Sequence, residues 1–330
     1  MTATMPTSPL DSPPDDLPSL KGGRATADRS FRGLSYAAGG VVLLVLALIT
    51  ITMVGRSMDA LSHMGLEFFT SKRWDPPKQF YGILSYIWGT VYTAVIALTL
   101  AVPVSLGIAL FITQIAPQWL KRTMIYAIDL LAVVPSVVFG LWGFLVFSRQ
   151  IQGFYDNLSS WFDGWPVFGT VFGPNPQGRS FFTAGIVLAI MITPIVVSLA
   201  REVIETTPQS EKEAALALGA TKWEMIRGSV LPHSKGGLVG AVMLGLGRAM
   251  GETIAVALTI GSATGQITLN ALASGNSMPA VITAEWGEAD SLKKSALIAM
   301  AMTLFVMTIV VNISATAIVN RSMRKSRGAA

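Results

Sequence analysis

The chain contains no cysteine in 330 residues, which excludes a disulfide framework, a thiol nucleophile and thiolate metal ligands. Histidine is nearly absent as well. His63 and His233 lie far apart in sequence with no carboxylate motif beside either, so neither belongs to a recognisable metal or catalytic set. Charge is scarce: Asp, Glu, Lys and Arg make up 13% of the residues, against about 25% in an ordinary soluble domain. No Gly-x-x-x-x-Gly-Lys-Ser/Thr phosphate loop occurs, so the chain brings no ATPase motif of its own. What is abundant is apolar: 52% of the residues are hydrophobic and the mean hydropathy is +0.56. These figures exclude a soluble enzyme and a nucleic-acid module, and indicate an integral membrane protein that meets lipid. The net charge of +5 is accounted for by Lys and Arg kept at the ends of membrane spans.

The pattern along the chain predicts an all-α membrane protein with six transmembrane helices. Residues 1–32 carry Pro6, Pro9, Pro13, Pro14 and Pro18 among Ser, Thr and Asp, and then Lys21, Arg24, Arg29 and Arg32. That composition is read as a disordered cytoplasmic tail. Residues 33–79 hold the first span, about 37–54, and an external loop. Residues 80–320 form a core of five spans, and 321–330 a basic cytoplasmic tail. The second span, 83–115, is expected as one long helix kinked at Pro103, since 79–120 has no charged residue yet cannot hold two spans and a turn. The others are expected near 124–147, 181–199, 237–260 and 295–319. Asp129 in the third is expected to serve an interfacial or helix-start role in preference to lining a pathway. The aromatic-rich 149–180 segment is expected as a loop on the outer surface. Of the 24 Lys and Arg, 15 fall on the side bearing both termini and eight on the other, which predicts cytoplasmic termini.

Two features carry chemistry. Arg248 and Glu252 interrupt the apolar fifth span at a spacing of four, which on a continuous helix stacks them on one face. A guanidinium matches an oxyanion with two parallel hydrogen bonds, and the Glu can hold it when no anion is present. The alternative is an ion pair fixing register against another subunit. Thr253 is a candidate pathway hydroxyl, and Gly240, Gly245, Gly247 and Gly251 are expected to permit close helix packing. The second feature is the loop 206–228, read as two short helices. Ser210 with Glu213 and Thr221 with Glu224 fit capping boxes, and Gly219 and Gly228 stand at expected C-terminal caps.

Glu213-Ala214-Ala215, with Gly219 four residues on and Leu231-Pro232 beyond, resembles the EAA loop of ABC-importer permeases; Ser229 stands where that pattern has Ile. The run Gly-Leu-Gly-Arg248-Ala-Met-Gly-Glu252-Thr-Ile-Ala-Val sharpens the resemblance, over about residues 80–320, to the PstC-type subunits of phosphate importers. The resemblance implies a type I ABC-importer permease-like bundle with a cytoplasmic coupling helix, in the bacterial or archaeal inner membrane. It implies a heterodimer with a PstA-type permease, a PstB-type ATPase dimer holding ATP and Mg, and an external PstS-type phosphate-binding protein. Glu213, Ala214, Ala215 and Gly219 would then dock the ATPase. A permease for sulfate or molybdate, or a secondary anion transporter, is the alternative.

Overall fold

The computed structural model describes residues 24–174 and 176–327. Residues up to Thr52 and those from Met53 onward form separate units. Helix α1 (Arg24–Met64) runs through that boundary, and its stretch from Arg29 to Met64 is long and apolar enough to cross a membrane. Residues 24–32, expected in the tail, are therefore helical; no proline occurs between Pro18 and Pro76 to stop the helix. The rest of the expected tail, 1–23, lies outside the described residues.

A short helix α2 (Glu67–Thr70) and a two-residue antiparallel hairpin follow, β1 (Trp74–Asp75) with β2 (Phe80–Tyr81). Helix α3 (Leu84–Leu110) continues through a π-turn, Phe111–Ile115, with Pro103 inside it, as one 32-residue span. The third span departs from expectation. It consists of α4 (Gln118–Val133) and α5 (Ser136–Trp142), the latter extended by a π-turn and α6 (Ser148–Gln150), and the two halves bend by 88°. Pro135 is the cause: it lacks an amide hydrogen and forces Val134 into an extended conformation (ψ 126°), so the helix stops and restarts. The aromatic segment expected as a loop folds into α7 (Gln152–Trp161) and α8 (Phe168–Val171). Buried Tyr155 ties it down, its hydroxyl 2.9 Å from that of Thr183.

Helix α9 (Phe181–Glu205) is a continuous span containing Pro194. It leads to α10 (Gln209–Ala217), α11 (Lys222–Met225) and α12 (Leu231–Gly251), then α13 (Ile254–Thr259), α14 (Met278–Glu285) and α15 (Ser291–Arg327). The end of the basic tail, 328–330, lies outside the described residues, and 321–327 continue the helix. Among the described residues four helices are long and apolar enough to be continuous spans, and the bent α4–α5 pair is a fifth. The stretch 237–260, expected as another span, is α12 and α13 divided by a break and is not among them.

The centre of the bundle is α3 packed on α9. The buried face of α3 is a ladder of small residues, Gly89, Thr90, Thr93, Ala94, Ala97, Ala101, Ser105 and Ala109, which lets the helices approach closely. A hydroxyl buried in an apolar interior is costly unless it is paired. Thr90 and Thr93 accordingly donate to the carbonyls of Tyr86 and Gly89 one turn back, at 2.8 and 2.7 Å. Leu188, Ile192, Leu246, Met250 and Val256 complete this core, which places α12 and the break after it against the α3–α9 pair.

Candidate functional site

Helix α12 ends at Gly251, and Glu252 leaves the helix in an extended conformation (φ −70°, ψ 129°) before α13 begins at Ile254. The stacked pair expected on one continuous helix is thus replaced by a pair at a helix end. Arg248 stands in the last turn of α12, where a cation is favoured by the partial negative charge of the C-terminus. Its Nη2 lies 3.9 Å from Oε2 of Glu252. That distance is too long for a hydrogen bond, so the guanidinium is held by charge alone and keeps its donors free.

The two side chains point to different surroundings. Arg248 is 52% exposed, whereas Glu252 is 7% exposed. Glu252 enters a narrow cleft lined by Thr90, Thr93, Leu188, Val256, Ser277 and Pro279. The hydroxyls in that cleft are already engaged: Thr90 accepts from the Met278 amide at 3.0 Å, and Ser277 accepts from the Ala280 amide. Among the described residues the carboxylate therefore has Arg248 as its one charged partner. The Thr253 hydroxyl is turned to its own backbone, donating to the Gly251 carbonyl at 3.3 Å.

A break of this kind interrupts the helical backbone hydrogen bonds, which a membrane tolerates only where the freed groups are buried in protein or border water. Close packing keeps the halves in place. Helix α13 runs alongside α5, and a Cβ on Gly140 would stand 2.9 Å from the Ala255 Cα; one on Gly143 would meet Thr259 and Val187. Of the four glycines expected to pack in α12, Gly245 does so, against Val196; among the described residues Gly240, Gly247 and Gly251 have no neighbour within 4 Å of a Cβ position. The stripe around Arg248 is open.

At the other end of α12, Thr221 caps α11 with the expected reciprocal box. Its hydroxyl accepts from the Glu224 amide, and Glu224 accepts from the Thr221 amide at 2.8 Å. These hydrogen bonds hold the Glu224 carboxyl below the usual carboxylate range. Gly219 has φ +87°, as its capping role requires. Two expectations fail. Helix α10 begins after Pro208 with no side-chain cap, so Ser210 does not form a box with Glu213, which accepts instead from Gln209 at 3.1 Å. Pro208 occupies the N-cap position, where it offers no side-chain acceptor to the first-turn amides. Gly228 does not end a helix either: the π-turn Ile226–Val230, which includes Ser229, carries α11 directly into α12. Glu213, Ala214 and Gly219 are exposed and Ala215 is half-buried. Leu218, 90% exposed, and Trp223, 62% exposed, which the sequence pattern sets on the apolar faces of the two loop helices, present an apolar surface on the same loop.

The chain matches the model of the binding-protein-dependent transport system inner membrane component family over residues 101–325. It is 40% identical over 312 residues to the phosphate transport system permease protein PstC of Xylella fastidiosa, covering 93% of this chain and 96% of that one. To the protein of the same name from Pasteurella multocida it is 42% identical, covering 82% and 84%. To PstC 2 of Mycobacterium tuberculosis it is 38% identical, covering 95% and 98%. Among solved structures it resembles a bacterial ABC transporter that imports alginate, with TM-score 0.59 and 18% identity over 90% of this chain and 99% of that one. The MetNI methionine ABC transporter is similar at TM-score 0.56 and 15% identity, covering 76% and 99%. At these identities the structures show the fold, an ABC-importer permease.

Proposed function

Because this chain belongs to the binding-protein-dependent transport system inner membrane component family, we propose that it is the PstC-type permease subunit of an ATP-driven importer that moves inorganic phosphate into the cytoplasm. The observation that carries the reading is Arg248, half-exposed at a helix break and paired to a buried carboxylate only at 3.9 Å. A phosphate oxyanion arriving there meets free guanidinium donors and displaces the weak hold of Glu252. Monohydrogen and dihydrogen phosphate also carry a proton that Glu252 accepts in a hydrogen bond, which fully deprotonated sulfate does not offer. When the anion leaves, Glu252 again holds the guanidinium, so binding stays weak enough for release. Thr253 serves the pathway only if its hydroxyl leaves the Gly251 carbonyl.

The second permease is PstA-type, the external donor a PstS-type phosphate-binding protein, and the motor a PstB-type ATPase dimer that holds ATP and Mg. Glu213, Ala214, Ala215 and Gly219 dock that ATPase from the cytoplasm, where both termini also lie. Exposed Leu218 and Trp223 support a partner there, since such apolar surface on a polar loop calls for cover. The unbroken passage from α11 through the π-turn into α12 makes the docking loop and Arg248 parts of one lever.

The test is reconstitution of the four-component complex in proteoliposomes. Labelled phosphate uptake is expected only with ATP on the ATPase side, with excess sulfate and molybdate competing poorly. Uptake that ignores ATP and follows a proton gradient would assign the chain to secondary transport, and stronger competition by sulfate or molybdate would reassign the cargo.

A further inference from the structure

Asp129 is a carboxylate that this fold leaves unmatched. It lies toward the C-terminal end of α4, so the helix-start half of the expected interfacial or helix-start role fails, and it is exposed. Lys121 of α4 pairs with Glu205 of α9 at 2.9 Å, and Met124, Ile125 and Ile128 pack against a buried cluster that includes Val197, Ala200 and Ile204. Asp129 is eight residues, about 12 Å, along α4 from that ion pair, within the bent helix pair that is long and apolar enough to cross a membrane.

Its own face of α4 is otherwise apolar. Tyr126, Leu130 and Val133 are all largely exposed beside it. Among the described residues Asp129 has no hydrogen bond, ion pair or other polar partner. Carboxylates within a membrane span turn from lipid toward protein or water and pair with a cation.

We propose that the Tyr126–Asp129–Val133 face of α4 is a contact surface for the second permease subunit, and that a Lys or Arg from a span of that subunit meets Asp129. This rests on the two-permease reading above. The apolar residues of the face supply helix packing and the carboxylate fixes register and partner choice, because a helix without a cation at that level leaves the charge unmatched.

The absence of native cysteine makes the test direct. In membranes containing the whole importer, Tyr126→Cys is labelled with a benzophenone maleimide and irradiated. A covalent adduct to the second permease is expected; an adduct only to lipid, or only to α1 of this chain, overturns the proposal. In parallel, Asp129→Lys is expected to lower co-purification of the second permease at least tenfold, and Asp129→Asn to lower it less. Changing one span Lys or Arg of the partner to Glu should restore assembly with Asp129→Lys. Wild-type recovery of Asp129→Lys, or failure of every such reversal, also overturns it. Phosphate uptake by the unmodified complex reads the functional assignment separately, and the adduct does not depend on how the Lys variant folds.

Discussion

Replacing Arg248 by Gln separates what the side chain does for the protein from what it does for the anion. The gross Coulomb attraction at 3.9 Å is about 4 kcal/mol at an effective dielectric constant of about 20. With Arg248 52% exposed, solvent screening and the entropy of holding the side chain reduce its net worth to about 1 kcal/mol or less. Assembly should therefore survive the substitution. The anion loses two charge-assisted hydrogen bonds, each worth about 1.5–3 kcal/mol. A total of about 3–6 kcal/mol corresponds to about a hundred- to ten-thousand-fold in affinity. Initial rates of labelled phosphate uptake at sub-saturating phosphate should fall by at least about a hundredfold, with the ATPase and second permease still co-purifying. Arg248→Lys, which keeps the charge without the fork, should fall between. Glu252→Gln should bind phosphate more tightly and release it more slowly, because Arg248 loses its competitor. Wild-type uptake by the Gln variant would refute the pathway role. Loss of the partner subunits together with uptake would show that the pair holds the assembly and not the substrate.

Gly219→Val places a β-branched residue at φ +87°, at a cost of about 1–2 kcal/mol or more, and should displace the docking loop; ATP hydrolysis stimulated by the binding protein should fall while the permease pair remains intact. Gly140→Val drives a Cβ to 2.9 Å from the Ala255 backbone and should cost about 1–3 kcal/mol, seen as a lower midpoint of thermal unfolding in detergent. Thr221→Ala removes the cap of α11 at about 1 kcal/mol, seen as faster amide exchange over 222–225. Because the folded-state pKa of Glu224 is depressed, its contribution is complete above the usual 4.5 and is lost as pH falls through the depressed value; exchange over 222–225, corrected for intrinsic rates, should rise in that acid window in the parent and less so in Thr221→Ala, which keeps the backbone amide donor to Glu224 and loses only the hydroxyl.

Local chemistry was legible wherever a short stretch decides its own shape. The uncharged run of 79–120 has too few residues for two spans, and it forms one 32-residue helix with Pro103 inside. Thr221, Glu224 and Gly219 form their caps because hydroxyl, carboxylate and backbone partners all lie within a few residues. Ser210 and Gly228 do not act as caps, because Pro208 stands at the N-cap of α10 and a π-turn carries α11 directly into α12.

The sequence by itself determined that this is a membrane protein of helical spans, that a loop between two of them presents an EAA-type surface, and that Arg248 and Glu252 are near neighbours. Those conclusions need only composition, periodicity and spacing and, for the loop, its resemblance to known permeases, all of which belong to the chain before it packs. Tertiary structure alone decided that α12 stops at Gly251, that Glu252 turns into a cleft lined by Thr90, Thr93 and Ser277 while Arg248 stays open, and that Asp129 has no polar partner among the described residues. A helix period places both charges on one face. Only the packing of α12 and α13 against α3, α5 and α9 determines where the period is interrupted, and so which charge is buried and which is left to meet an anion.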